Sequence, residues 1–140
     1  MYQTNAFINK YNAQSKTGKT DNLASLSASL CERGMKALSA AIEANKSGKK
    51  SLWSIEISMS IVVIESLISI LDKENPVFKS VIDLYVNMGS IAKALLEKRI
   101  AAEKASKLLS LFTEARNEWS EVDIKYSIQR PGEMSSGDVL

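Results

Sequence analysis

Apolar positions recur at helical spacing along most of the chain, separated by short polar breaks. Leu23, Leu26, Leu30, Ala37, Leu38, Ala41 and Ile42 fall three or four residues apart, with Ser25, Ser29, Glu32, Lys36 and Glu43 on the other side. This spacing predicts a first helix over 22–45, begun by Asp21 or Asn22 as a cap. Asn45-Lys46-Ser47-Gly48 supplies its stop and turn. Gly34 sits in the middle, where glycine costs about 1 kcal/mol of helix propensity. Its missing side chain would let a neighbouring helix come close.

The second segment, 51–73, is the most informative. Trp53, Ile55, Ile57, Met59 and Ile61 alternate with serine and glutamate, which locally suggests a strand. More than twenty residues without glycine or proline are too many for one strand. A membrane span is disfavoured by Glu56, Glu65 and the serines between Leu52 and Leu71. Wound at about 100° per residue, Ser54, Ser58, Glu65, Ser69 and Asp72 share a strip roughly 60° wide. Apolar residues dominate the rest, interrupted by Glu56, Ser60 and Ser66. A surface helix needs an apolar stripe of only about 100°. The segment is therefore either a central helix enclosed on all sides or one whose outer face awaits a partner.

Asn75-Pro76 marks the start of a third helix, with Phe78, Ile82, Tyr85, Met88, Gly89, Ala92 and Leu96 as its stripe. Leu108, Leu109, Phe112, Ala115, Trp119 and Val122 define a fourth. No glycine or proline separates the two, yet one helix over 76–122 would be ~70 Å long, beyond a compact domain of this size. A turn is therefore placed near 98–102. Periodicity ends after Tyr126, and Pro131, Gly132 and Gly137 predict a flexible tail over 126–140. The expected fold is all-α: an antiparallel four-helix bundle over 22–125, preceded by an N-terminal segment, 1–21. In that polar segment Tyr2, Phe7, Ile8 and Tyr11 stand out, and Phe7, Ile8 and Tyr11 are candidates for docking it back onto the bundle.

Composition narrows the function. A net charge of +2, with basic and acidic residues mixed along the same helical faces, argues against a nucleic-acid partner. Histidine is absent and Cys31 is the single cysteine, so neither a disulfide within the chain nor histidine-based metal or triad chemistry is available. Cys31, on an apolar flank, reads as a small core residue. The glycines form no phosphate-binding loop. No catalytic, cofactor or metal site is expected, and residues 1–11 show no secretory or myristoylation signal. The expectation is a cytoplasmic binding protein without enzymatic activity or membrane insertion.

The order of features resembles the flagellar secretion chaperone (FliS) family. A Tyr-bearing segment, Asn5-Ala-Phe-Ile-Asn-Lys-Tyr11, precedes an apolar helix around Glu32-Arg33-Gly34. An Ile/Leu-rich helix ending at Leu71-Asp72 follows, then Leu84-Tyr85-Val-Asn-Met88 with Lys98-Arg99 beyond it. Phe112-Thr-Glu-Ala-Arg-Asn-Glu-Trp119 is similar to the family's closing Arg-x-x-Trp helix. Together these cover about residues 5–125. Two features depart from the family: Glu32-Arg33 replaces Tyr-Asp/Asn before the glycine, and Glu97-Lys-Arg-Ile-Ala-Ala-Glu103 replaces an Asn/Asp-bearing turn. Both departures bring a divergent client or partner preference into play.

The resemblance implies a chaperone that binds the unfolded C-terminal segment of flagellin, blocks premature assembly and delivers it for export. A flagellar export-gate component or a co-chaperone would be a further partner. The expected client groove takes Ile55, Met59, Val62 and Val63, with Tyr85 and Met88 from the third helix, although an aromatic or methionine at that spacing is also ordinary core. The competing reading is a structural or oligomerising bundle subunit that binds no client.

Overall fold

The computed structural model describes residues 21–129, with side chains over 23–122. Among the described residues it is all helical: α1 (Asp21–Lys46), α2 (Lys50–Ser69), α3 (Lys79–Leu96) and α4 (Ala105–Gln129), with short 3-10 turns at Pro76–Phe78 and Ala102–Lys104. The alternation at 53–61 is wound into α2, as its length demands. α1 is the organising element, packing extensively on both α2 and α4, while α2 also packs on α3. α3 and α4 share a lighter contact.

The ends of the helices follow local chemistry. Gly48, at φ 71°, closes α1: its N–H donates to the Asn45 carbonyl, and the Lys49 N–H to that of Ala44. α2 stops at Ser69, four residues before the expected end. Asp72 is the reason, because its Oδ1 accepts from the Glu74 N–H at 3.0 Å and its carbonyl from the Asn75 N–H, making a turn instead. Asn75 Oδ1 then accepts from the Val77 N–H at 3.1 Å, capping the 3-10 turn that leads into α3. The turn between α3 and α4 begins at Lys98, the one described non-glycine residue at positive φ, 61°. The expected tail is corrected over 126–129, which are helical. Nothing over 126–129 breaks a helix, since the stretch holds neither glycine nor proline.

Gly34 makes the close approach that its position suggests. Phe112 of α4 lies across it, and a Cβ on residue 34 would meet ring atom Cε1 and stand 2.7 Å from Cδ1 and Cζ. Around this contact the core gathers Cys31, Leu38, Tyr85, Met88, Leu108 and Trp119, all essentially inaccessible. Trp119 Nε1 donates to Tyr85 Oη at 2.8 Å, joining α4 to α3 inside the core. At the rim, Arg116 holds Glu32 at 2.9 Å, linking α4 to α1.

Gly34→Ala is expected to destabilise the fold although alanine favours helix by about 1 kcal/mol. Overpacking against a buried ring costs about 1–3 kcal/mol, and each 1 kcal/mol shifts Tm by roughly 4–8 °C in a domain near this size. Thermal unfolding followed by circular dichroism should show the drop, and adding Phe112→Leu should recover part of it. An unchanged or raised Tm for Gly34→Ala would show that the helices separate freely at this point.

Candidate functional site

α2 is not enclosed. Its buried face is Trp53, Ile57, Ser60, Val63, Ile64 and Leu67. On the outward side Ile55 is 61% and Val62 54% exposed, and Leu52 is 38% exposed. Half-buried Met59 and Ser66 complete the row, because 55, 59, 62 and 66 repeat at the i, i+4, i+7, i+11 spacing of one helical face. The helix is long and apolar enough to cross a membrane, yet only 33% of its apolar window is buried in the fold. A contiguous exposed row of this kind is a candidate docking surface, where scattered single residues would not be.

Local hydrogen bonding makes the row less polar than its sequence. Ser66 Oγ donates to the Val62 carbonyl at 2.9 Å, and Ser69 Oγ to the Ser66 carbonyl at 2.8 Å. Each hydroxyl is thereby satisfied by its own helix, leaving little hydrogen-bonding demand on the surface. Buried Ser60 does the same toward Ile57 at 2.6 Å.

At its far end the row meets α1. Leu26, 48% exposed, lines a shallow groove with Leu23, Ser25, Ser29 and Ile70. Periodicity places Leu26 in the core stripe, but it shares a face with Ser29 and Arg33, three and seven residues on, and those are exposed. That shared face was the available signal. Val86, also 54% exposed, stands alone on α3 among Asp83, Ser90 and Lys93, and extends no row.

Three expected groove residues are corrected. Val63 is only 3% exposed, because one step of about 100° from Val62 turns it toward the core. Tyr85 and Met88 are wholly buried, and Tyr85 is held there by Trp119. None of the three is available to a client in this conformation. Ile55, Met59 and Val62 do lie together on the outer face. The docking candidates Phe7, Ile8 and Tyr11 fall outside the described residues.

Reactive chemistry is sparse. Among the described residues no three His, Cys, Asp or Glu side chains come close enough to hold a metal ion. Cys31 is buried, and desolvation pushes its thiol from 9.0 up to about 12, against a lesser opposite pull from a hydrogen bond with Tyr85. It is a packing residue held as the neutral thiol. No family model, curated protein or solved structure matches the chain.

The thiol gives a signed pH prediction. The folded state keeps a proton that the unfolded chain releases at lower pH, so this contribution to stability is complete below pH 9 and is lost as pH rises from 9.0 toward about 12. Cys31→Ala should therefore lose less stability than the parent over that window in urea titrations. At pH 8 the native thiol should react with a disulfide reagent only as fast as the protein opens; labelling at the unfolded rate would contradict its burial.

Proposed function

We propose that the chain is a cytoplasmic export chaperone that lays the C-terminal segment of flagellin along the outer row of α2. The observation that carries this reading is the face formed by Leu52, Ile55, Met59 and Val62, which the chain's described core leaves open. A disordered segment that becomes an amphipathic helix places anchors at i, i+3/i+4 and i+7, and the row offers apolar surface at matching spacing. Fully burying one Val or Ile side chain is worth about 1.5–3 kcal/mol, so a few anchors can offset the ordering of a short segment and leave the complex reversible. Reversibility is what a chaperone that must hand its client to an export gate requires.

The same reading takes the helices as antiparallel in sequence order. Only Ser47, Gly48 and Lys49 separate α1 from α2, which suits a reversal of direction. Leu26 near the start of α1 shares its groove with Ile70 just past the end of α2, as antiparallel neighbours would. That pairing extends the docking row from α2 onto α1, with Leu26 as a further anchor.

Val62→Asp tests the proposal. The position is exposed, so the variant should keep its helicity and Tm, whereas Val63→Asp should unfold the bundle by burying an unpaired charge. Titration calorimetry against a peptide from the flagellin C-terminus should show saturable binding to the parent and at least about a tenfold loss, ~1.4 kcal/mol, for Val62→Asp. Equal binding by the folded variant would refute the placement on α2. No binding by the parent, together with concentration-dependent dimers that Val62→Asp dissolves, would make the row a self-association surface instead.

A further inference from the structure

At the opposite end of α2 lies a second feature that shares no residue with the docking row. The α1–α2 turn and the α3–α4 turn sit side by side around a cavity of about 300 Å³. Trp53, Leu95 and Ile100 give it an apolar lining. Lys49, Lys50 and Lys98 bring cationic side chains, and no carboxylate is among the lining residues. None of these lysines joins an ion pair among the described residues. The first turn of α2 adds to the positive character, since it carries no acidic residue and its N-cap makes no side-chain hydrogen bond.

The two turns are built alike but finished differently. After α1 the left-handed position is Gly48, and the Lys49 N–H reaches back to the Ala44 carbonyl at 2.9 Å. After α3 the Arg99 N–H reaches back to the Ala94 carbonyl at 2.9 Å, but the left-handed position is Lys98. Glycine takes that conformation without strain, while a residue with a Cβ does not. A lysine thus occupies the strained position where glycine would be easier, and that residue lines the cavity. Strain held at a pocket wall is a reason to look for a ligand.

We propose that this cavity captures the carboxyl-terminal residue of a partner polypeptide. A large aliphatic side chain fills the space between Trp53, Leu95 and Ile100, and the terminal carboxylate is held by Lys49, Lys50 and Lys98. The volume, at the low end of ligand pockets, suits one or two side chains, not an extended molecule. The combination of apolar interior and cationic mouth fits one group carrying both an apolar body and a negative charge. Charge-assisted hydrogen bonds supply the strength, and a chain end is the place where a backbone carboxylate lies directly beside a side chain.

The experiment is calorimetric titration of the whole chain with acetyl-Gly-Ser-Gly-Ser-Leu bearing a free terminal carboxylate. Saturable binding is expected, with at least about a tenfold loss on amidating the carboxyl end or replacing the terminal leucine by serine. Lys98→Gly carries a signature that a merely structural role would not give: a raised Tm together with weaker peptide binding. Lys49→Gln should weaken binding at unchanged Tm, and Val62→Asp should leave it intact, so this site and the flagellin row succeed or fail separately. Equal binding of the amide, equal binding of acetate alone, unchanged affinity in Lys98→Gly, or no saturable binding of the free acid would each overturn the proposal.

Discussion

Phe112 lies across Gly34, and the distance between α1 and α4 is set by that contact. A ring seated on bare backbone brings two helices closer than any pair of side chains would allow. The consequences spread outward along both helices. Below the contact Trp119 comes within 2.8 Å of Tyr85, so α4 is tied to α3 as well as to α1. Beside it Cys31 is sealed in the core, where its neutral thiol packs as a hydrophobe. With α1 committed to α4 on one side and α2 on the other, α2 can bury one face only. The open row on α2 follows from an arrangement anchored elsewhere.

Helix existence and most of the core were legible because periodicity reports burial directly. Phe112, Ala115, Trp119 and Val122 form a clean stripe, and all four are buried. What failed to show was anything decided by competition. Asp72 could extend or end a helix, and its side chain chooses a turn, taking four residues from the expected end of α2, whereas Asn75 caps the next turn as its place before Pro76 suggests. The break between α3 and α4 had no local sign; it is forced by compactness and formed by a lysine in a conformation that sequence normally assigns to glycine. Val62 and Val63 are chemically alike neighbours, yet one faces water and the other the core, and only the placement of α1 and α3 decides which.

The residues behind the family resemblance prove mostly structural. Gly34 seats Phe112, Arg116 holds Glu32, and Trp119 bonds Tyr85. The departure at Glu32 therefore has a physical role, since it supplies the carboxylate that Arg116 grips across α1 and α4. That pair is half exposed and worth at most about 1 kcal/mol, so it tunes the helix pairing without creating it. Flagellin as a client comes from the resemblance alone, which contributes no distinctive motif to the outer row of α2.

Most of the chain obeys local and global preferences together: caps sit at turns, glycine at a left-handed position, charged residues on wet faces. Exceptions are densest on α2 and at the turns beside its N-terminal end, with Leu26 on α1 and Val86 on α3 as further exposed apolar residues. α2 exposes Ile55 and Val62 where polar residues would have cost the core nothing, and Ser66 and Ser69 turn their hydroxyls into the backbone, away from the surface. At its N-terminal end unpaired lysines crowd a cavity, and one of them holds a strained backbone. Each feature gives up a little stability or solubility that a simple substitution would restore. The Gly34–Phe112 contact and the Trp119–Tyr85 bond tie α1, α3 and α4 together. With three helices tied to one another in this way, α2 can keep an apolar row on its outer face without that row being drawn into the core.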